Sequence, residues 1–173
     1  LCQPVSTLKI VLAKLSCASS ISIISIILML VLTSVAMNFV DLTKIGATFS
    51  IDAQTFVILL LLLIPICFLA ASLQLLFAFQ AKSFKEAQST VTMLIMAPSF
   101  IPFALMMMDD KPAWVEWMPI SGQSLLMEDV FKGLPIDWNA LLFTSAATIA
   151  LTVGLVLILA KRLTSEKVVM SLS

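Results

Sequence analysis

The sequence predicts an all-α fold, a polytopic transmembrane helical bundle with four spans, and three observations carry that prediction. Of 173 residues, 61% are hydrophobic and only 12% charged, with a mean hydropathy of +1.12. Soluble domains are about half apolar and a quarter charged, so this excess of apolar surface is expected to face lipid. Four runs contain no Asp, Glu, Lys, Arg or His: residues 15–40, 55–79, 88–108 and 139–160. At 1.5 Å per residue each can cross a hydrocarbon core about 30 Å thick. They account for 94 residues, which leaves short connections and makes 1–173 a single membrane domain with no separate soluble core.

The third observation is sidedness. Once the spans are drawn, Lys9, Lys14, Lys82, Lys85, Lys161, Arg162 and Lys167 fall on one side, and only Lys44, Lys111 and Lys132 on the other. The positive-inside rule makes the first side cytoplasmic, with both visible ends inside, and the chain is expected to be a multi-pass protein of the plasma membrane. The acids agree: Glu86 and Glu166 lie inside, and Asp41, Asp52, Asp109, Asp110, Glu116, Glu128, Asp129 and Asp137 outside.

In chain order, Pro4-Val5-Ser6 reads as a turn with Ser6 as a helix N-cap. Leu8, Val11, Leu12 and Leu15 recur at helical spacing with Lys9 and Lys14 off that stripe. The stretch therefore either rests on the cytoplasmic surface or simply extends span one. Span one carries Ser16, Ser19, Ser20, Ser22 and Ser25, hydroxyls suited to helix contacts and also compatible with a polar path. Span two holds Pro65 and one amide, Gln74, which needs polar partners in hydrocarbon and so is a candidate pathway residue. Span three holds Pro98 and Pro102 on one face. Each lacks the donor its helix needs and crowds the carbonyl four residues before it, so a bent or broken helix is expected and the pair is a candidate hinge. Span four presents Ala146, Ala150 and Gly154 at a spacing that admits another backbone.

The connection 109–138 is expected to be an external interfacial helix region rather than a loop. All three tryptophans, Trp114, Trp117 and Trp138, fall in it, and tryptophan prefers the membrane interface. Ser121 is placed to cap a short helix with Leu126, Met127, Val130 and Phe131 on one side and Glu128, Asp129 and Lys132 opposite; Gly133 and Pro135 stop it. Asp137 is placed to cap span four. The chain opens at Leu1 with no recognisable start, and is expected to be the later portion of a longer protein.

An enzyme is not expected. There is no histidine and no base within the spans. Cys2, Cys17 and Cys67 lack metal spacing and read as small hydrophobes. Four glycines make no phosphate-cradling loop, so no cofactor is expected in this chain. A carrier driven by protons or sodium alone places ionisable groups in the membrane, and these spans have none.

Three segments, in order, resemble the ABC-2 type permeases and especially their sodium-export subgroup. Pro4-Val5-Ser6 followed by Ile10 to Leu15 is similar to the family's approach to its third helix, with Ala13 where the family has glycine and Lys9 where an acid is common. The turn Ala81-Lys82-Ser83-Phe84-Lys85-Glu86-Ala87-Gln88 resembles the Lys-Glu-Ala segment between the fourth and fifth helices. Trp117-Met118-Pro119-Ile120, with Gln123 and Leu125-Leu126, resembles the external segment before the last helix. The resemblance implies helices three to six of a six-helix permease that lines an export path. It implies ATP and magnesium on a partner ATPase subunit, a second permease copy as homo- or heterodimer, and no nucleic-acid partner. It makes Lys82, Lys85, Glu86 and Gln88 a candidate cytoplasmic coupling turn. A structural or signalling membrane subunit that transports nothing is the alternative.

Overall fold

A computed structural model describes residues 6–37, 39, 52–108 and 110–172. The side chains of 37, 97 and 165–172 are outside that description, as are Cys2, Pro4, Val5, Asp41, Lys44 and Asp109 and the charges of Glu166 and Lys167. Among the described residues five α-helices and one 3₁₀ turn follow in order, and there is no strand. These are α1 Thr7–Met37, α2 Ala53–Ala78, α3 Phe84–Met106, the 3₁₀ turn Ala113–Trp117, α4 Ser121–Phe131 and α5 Trp138–Leu172. Four of them, α1, α2, α3 and α5, are long and apolar enough to cross a membrane, as in a multi-pass membrane protein.

The helices begin before the uncharged runs do because their caps lie outside those runs. The Asp52 carboxylate accepts from Thr55 N at 2.9 Å and starts α2. Ser83 Oγ accepts from Glu86 N at 3.2 Å and starts α3. Asp137 Oδ1 accepts from Asn139 N and Ala140 N at 2.9 and 3.3 Å and starts α5, the role its position predicts. Hydrogen bonds from the Thr55 hydroxyl first and the Thr55 N–H second hold the Asp52 carboxyl below the usual carboxylate range.

The first stretch does not lie apart on a surface. α1 is continuous from Thr7, since nothing between Leu8 and Cys17 breaks a helix, and Val11, Leu15 and Ser19 are covered. Val11 and Leu15 pack with Ala71 of α2 and with Val156 and Leu159 of α5. Thr7 and Thr164 share a 2.7 Å hydroxyl hydrogen bond that ties α1 to α5 at this end. Most of the span-one serines face outward. Ser22 and Ser25 donate to the Ala18 and Ile21 carbonyls of their own helix.

The prolines do not break α3. It runs unbroken through Pro98 and Pro102, as α2 does through Pro65. Each missing bond is local, and the bonds on either side of it hold the helix. Helix α2 is central and touches α1, α3, α4 and α5. The second apolar cluster joins Ile58, Leu59 and Leu62 of α2 to Leu126 and Val130 of α4 and to Ala140 and Leu141 of α5. The two clusters mark two ends of the bundle, a lysine end at the turn 79–83 and a hairpin end at 107–137. Elsewhere large apolar side chains such as Ile24, Met29, Met93, Phe103, Leu142 and Leu157 face outward, a surface suited to lipid.

Candidate pathway site

Three features form the candidate site: a hairpin that enters the bundle, a cavity below its tip, and the turn at the lysine end. The hairpin consists of the 3₁₀ turn Ala113–Trp117, a corner at Met118–Ile120, and α4. Its tip goes deep. Gln123 is fully buried and meets Thr148 of α5, which lies ten residues past Trp138, about 15 Å along the helix axis.

Small and polar residues make that depth possible. A Cβ on Gly122 would meet the Glu116 carbonyl oxygen at 2.1 Å and Thr144 Cγ2 at 2.7 Å, so only glycine lets the two arms and α5 come this close. Thr144, Thr148 and Thr152 form a buried stripe on α5, each hydroxyl donating to the carbonyl four residues earlier. Gln123 Oε1 accepts from Ile120 N at 3.2 Å. The Thr148 hydroxyl has one hydrogen and directs it at the Thr144 carbonyl, 2.7 Å away, so its 3.4 Å approach to Gln123 Oε1 is the weaker contact. Gln123 Nε2 is buried with no partner.

Ser121 does not cap α4, contrary to the reading of its position. It is the first helical residue, and its hydroxyl turns back to the Val115 carbonyl at 2.9 Å. Ile120 stands before it with φ of 71°. With ψ of −56° and Ser121 N bonded to the Pro119 carbonyl at 2.9 Å, Ile120 is the centre of a γ-turn, a costly conformation for a β-branched residue that the Gln123 bond and surrounding packing hold. Gly133, at φ of 68°, ends α4, with Leu134 N bonded to the Asp129 carbonyl. At the rim, Glu128 accepts from Lys132 at 2.6 Å and from Lys111 at 2.9 Å. The Lys132 bond, then the Lys111 bond, lower the Glu128 carboxyl, and the same contact raises Lys132. Trp117 packs edge-on against Phe143 with ring centres 5.3 Å apart.

Gln74 and Pro98 come together here. They line one cavity of about 240 Å³ between α2 and α3, with Ser99 and, at its far end, Ile120 of the hairpin tip. Pro102 lies elsewhere, in an apolar groove of about 410 Å³ between α3 and α4. The turn residues form neither cavity. Glu86 is committed locally, its carboxylate accepting from Lys82 N at 3.0 Å and so holding the turn before α3. Lys82, Lys85 and Gln88 are exposed, as is Phe84 between the two lysines, at 85%.

Sequence reasoning missed Gly122, the Thr144–Thr148–Thr152 stripe and the depth of Gln123. Threonines at four-residue spacing were the available signal. The small-residue stripe actually singled out on the same helix faces outward at Ala146 and Ala150, and nothing lies within 4 Å of a Cβ placed on Gly154. Among the described residues no group of His, Cys, Asp and Glu could hold a metal. No protein-family model, curated protein or solved structure matches this chain.

Proposed function

We propose that the chain is the permease part of an ATP-driven exporter, in which α2, α3 and the hairpin line the path and a partner ATPase supplies the energy. The observation that supports this most is the cavity between α2 and α3. It runs from Gln74, one helical turn from the end of α2 at the lysine end, to Ile120 at the hairpin tip. A site approached from one side and closed on the other is one state that alternating access requires. The motif resemblance to ABC-2 type permeases, including the sodium-export subgroup, supplies the class and the separate ATPase.

In this reading the lysine end is cytoplasmic, the hairpin is external, and the membrane is the plasma membrane. The exposed Phe84, flanked by Lys82 and Lys85, offers the ATPase an apolar knob in a basic setting. Glu86 keeps that knob in place rather than touching the partner. Glu86→Ala is therefore expected to depress transport by loosening the turn, while insertion and abundance stay unchanged.

Topology is tested by Ser83→Cys and Lys132→Cys in intact cells: an impermeant thiol reagent should label the second and miss the first. The opposite pattern would invert the assignment. Energy coupling is tested in vesicles containing the full-length protein, with and without its ATPase. Cargo movement should need ATP, and robust movement under a proton gradient without ATPase would overturn the proposal.

A further inference from the structure

The contact between the hairpin tip and α5 leaves hydrogen-bonding groups of opposite kind unmet on its two sides. The hairpin has a donor to spare. Gln123 is fully buried, its Oε1 accepts from Ile120 N at 3.2 Å, and its Nε2, with two hydrogens, has no partner among the described residues. Turning the amide over would set Nε2 against the Ile120 N–H, donor to donor, so this orientation is the one the backbone selects. Helix α5 has acceptors to spare. Thr144 and Thr148 each direct their one hydroxyl hydrogen at the carbonyl four residues earlier, at 2.7 Å, and the remaining lone pairs of both oxygens are open in a buried stripe. The two sides are also close. Gln123 Oε1 is 3.4 Å from Thr148 Oγ1, and an amide nitrogen is about 2.2 Å from its own oxygen, so Nε2 stands within about 5.6 Å of that hydroxyl. No direct bond joins Nε2 to it. A molecule that accepts one hydrogen bond and donates another, each about 2.8 Å long, spans such a separation.

We infer that one internal water molecule joins the hairpin tip to α5, accepting from Gln123 Nε2 and donating to the Thr148 hydroxyl oxygen. Its second hydrogen has the Thr144 oxygen as an acceptor, one turn along the stripe on the residue against which Gly122 rests. About three partners are usual for a buried water. Other small occupants fit the chemistry less well. A hydrocarbon group leaves the amide hydrogens unmet, which a medium of low dielectric penalises. A cation cannot accept from an N–H, and an anion would face the lone pairs of the threonines. The tip is then fastened to α5 in two ways: Gly122 fixes the approach by its lack of a side chain, and the water carries the polar part beside the weak direct contact. The inference does not rest on the permease reading, since the site needs only the hairpin and α5.

The test uses the full chain in lipid nanodiscs with nitrogen-15 in its glutamine side-chain amides, the Gln123 pair being identified by its loss in Gln123→Leu. Magnetisation transfer from water to these amide protons is measured by nuclear magnetic resonance, with the exposed Gln54 and Gln88 as references for bulk water. The Gln123 amide should receive transfer from a long-lived water while its own protons exchange at least about tenfold more slowly than those of Gln54 and Gln88, as burial requires. Thr148→Val, which removes the acceptor and keeps the branched shape, should lose that transfer, and Thr148→Ser should keep it. Absence of transfer to Gln123 in the unmodified chain would make the site dry. Exchange as fast as at Gln54 and Gln88 would make the tip open to bulk water, and transfer unchanged in Thr148→Val would mean a water that does not bridge to α5. Each of these results overturns the inference. If Thr148→Val does not fold, the two measurements on the unmodified chain still decide. Failure of ATP-driven transport would sink the exporter reading and leave the water site standing.

Discussion

Helices α3 and α4 are neighbours in sequence and in space, and they are packed in opposite ways. α3 has 23 residues and buries one described side chain, Leu105, whereas α4 has 11 and buries Ser121, Gly122, Gln123, Leu126 and Val130. Hydropathy ranks them the other way round, with α3 as a span and α4 as part of a connection. In a bilayer an apolar side chain gains little by leaving lipid for protein, so α3 can stay largely uncovered. Polar side chains such as Gln123 and backbone such as the 118–120 corner cannot face hydrocarbon, and at this depth protein must surround them. Between these two helices, burial therefore does not track hydropathy.

The largest test of that contrast is Gly122→Ala. The new methyl would strike the Glu116 carbonyl and Thr144, neither of which can swing away. The hairpin should shift outward at a cost of about 3 kcal/mol, typical of overpacking. Thermal unfolding in detergent measures it, and an unchanged midpoint would mean that the hairpin is not held at this depth. Gln123→Ala comes next: it removes the acceptor for Ile120 N–H and some buried volume but also an orphaned Nε2. A loss of about 2 kcal/mol is expected from the volume and the bond.

Acid should act more weakly, and on the rim. Lys132 and Lys111 hold the folded-state Glu128 carboxyl below its ordinary range. The stability this contributes is present above the unfolded value and is lost as pH falls through the glutamate range and below it. All three side chains are partly exposed and screened by water, so the loss should stay under about 1 kcal/mol. Glu128→Gln should remove this part of the acid response in a pH series of melts. The smallest effect belongs to Gly154→Ala, where nothing lies within 4 Å. It should be neutral or stabilise by up to about 1 kcal/mol through helix propensity. Serious damage there would sharpen the comparison differently, by showing that another backbone occupies the outward face of α5.

Part of the candidate site was visible from residue type alone. Asp137 at the head of an apolar run reads as a cap and is one, because capping depends only on the next few residues. Gly133 before Pro135 reads as a stop for the same reason. Gln74 stood out as the only amide of its run, yet that it would share a cavity with Pro98 was not legible. Pro98 and Pro102 looked alike in sequence, and their separation into different cavities depends on where α2 and α4 meet α3.

What the sequence by itself determined is whatever arises within one helix or from bulk partition: the four long apolar helices, their caps and the interruption between α3 and α5. Those follow from hydrogen bonds a few residues apart and from the cost of charge in hydrocarbon, both local quantities. Tertiary structure alone decided which face of each helix is covered. Around an apolar helix every side is equally compatible with lipid, so hydropathy cannot choose between the threonine stripe and the alanine–glycine stripe of α5. The choice was made when Gly122 and Gln123 of the hairpin met Thr144 and Thr148. A backbone approach this close can be made on only one face.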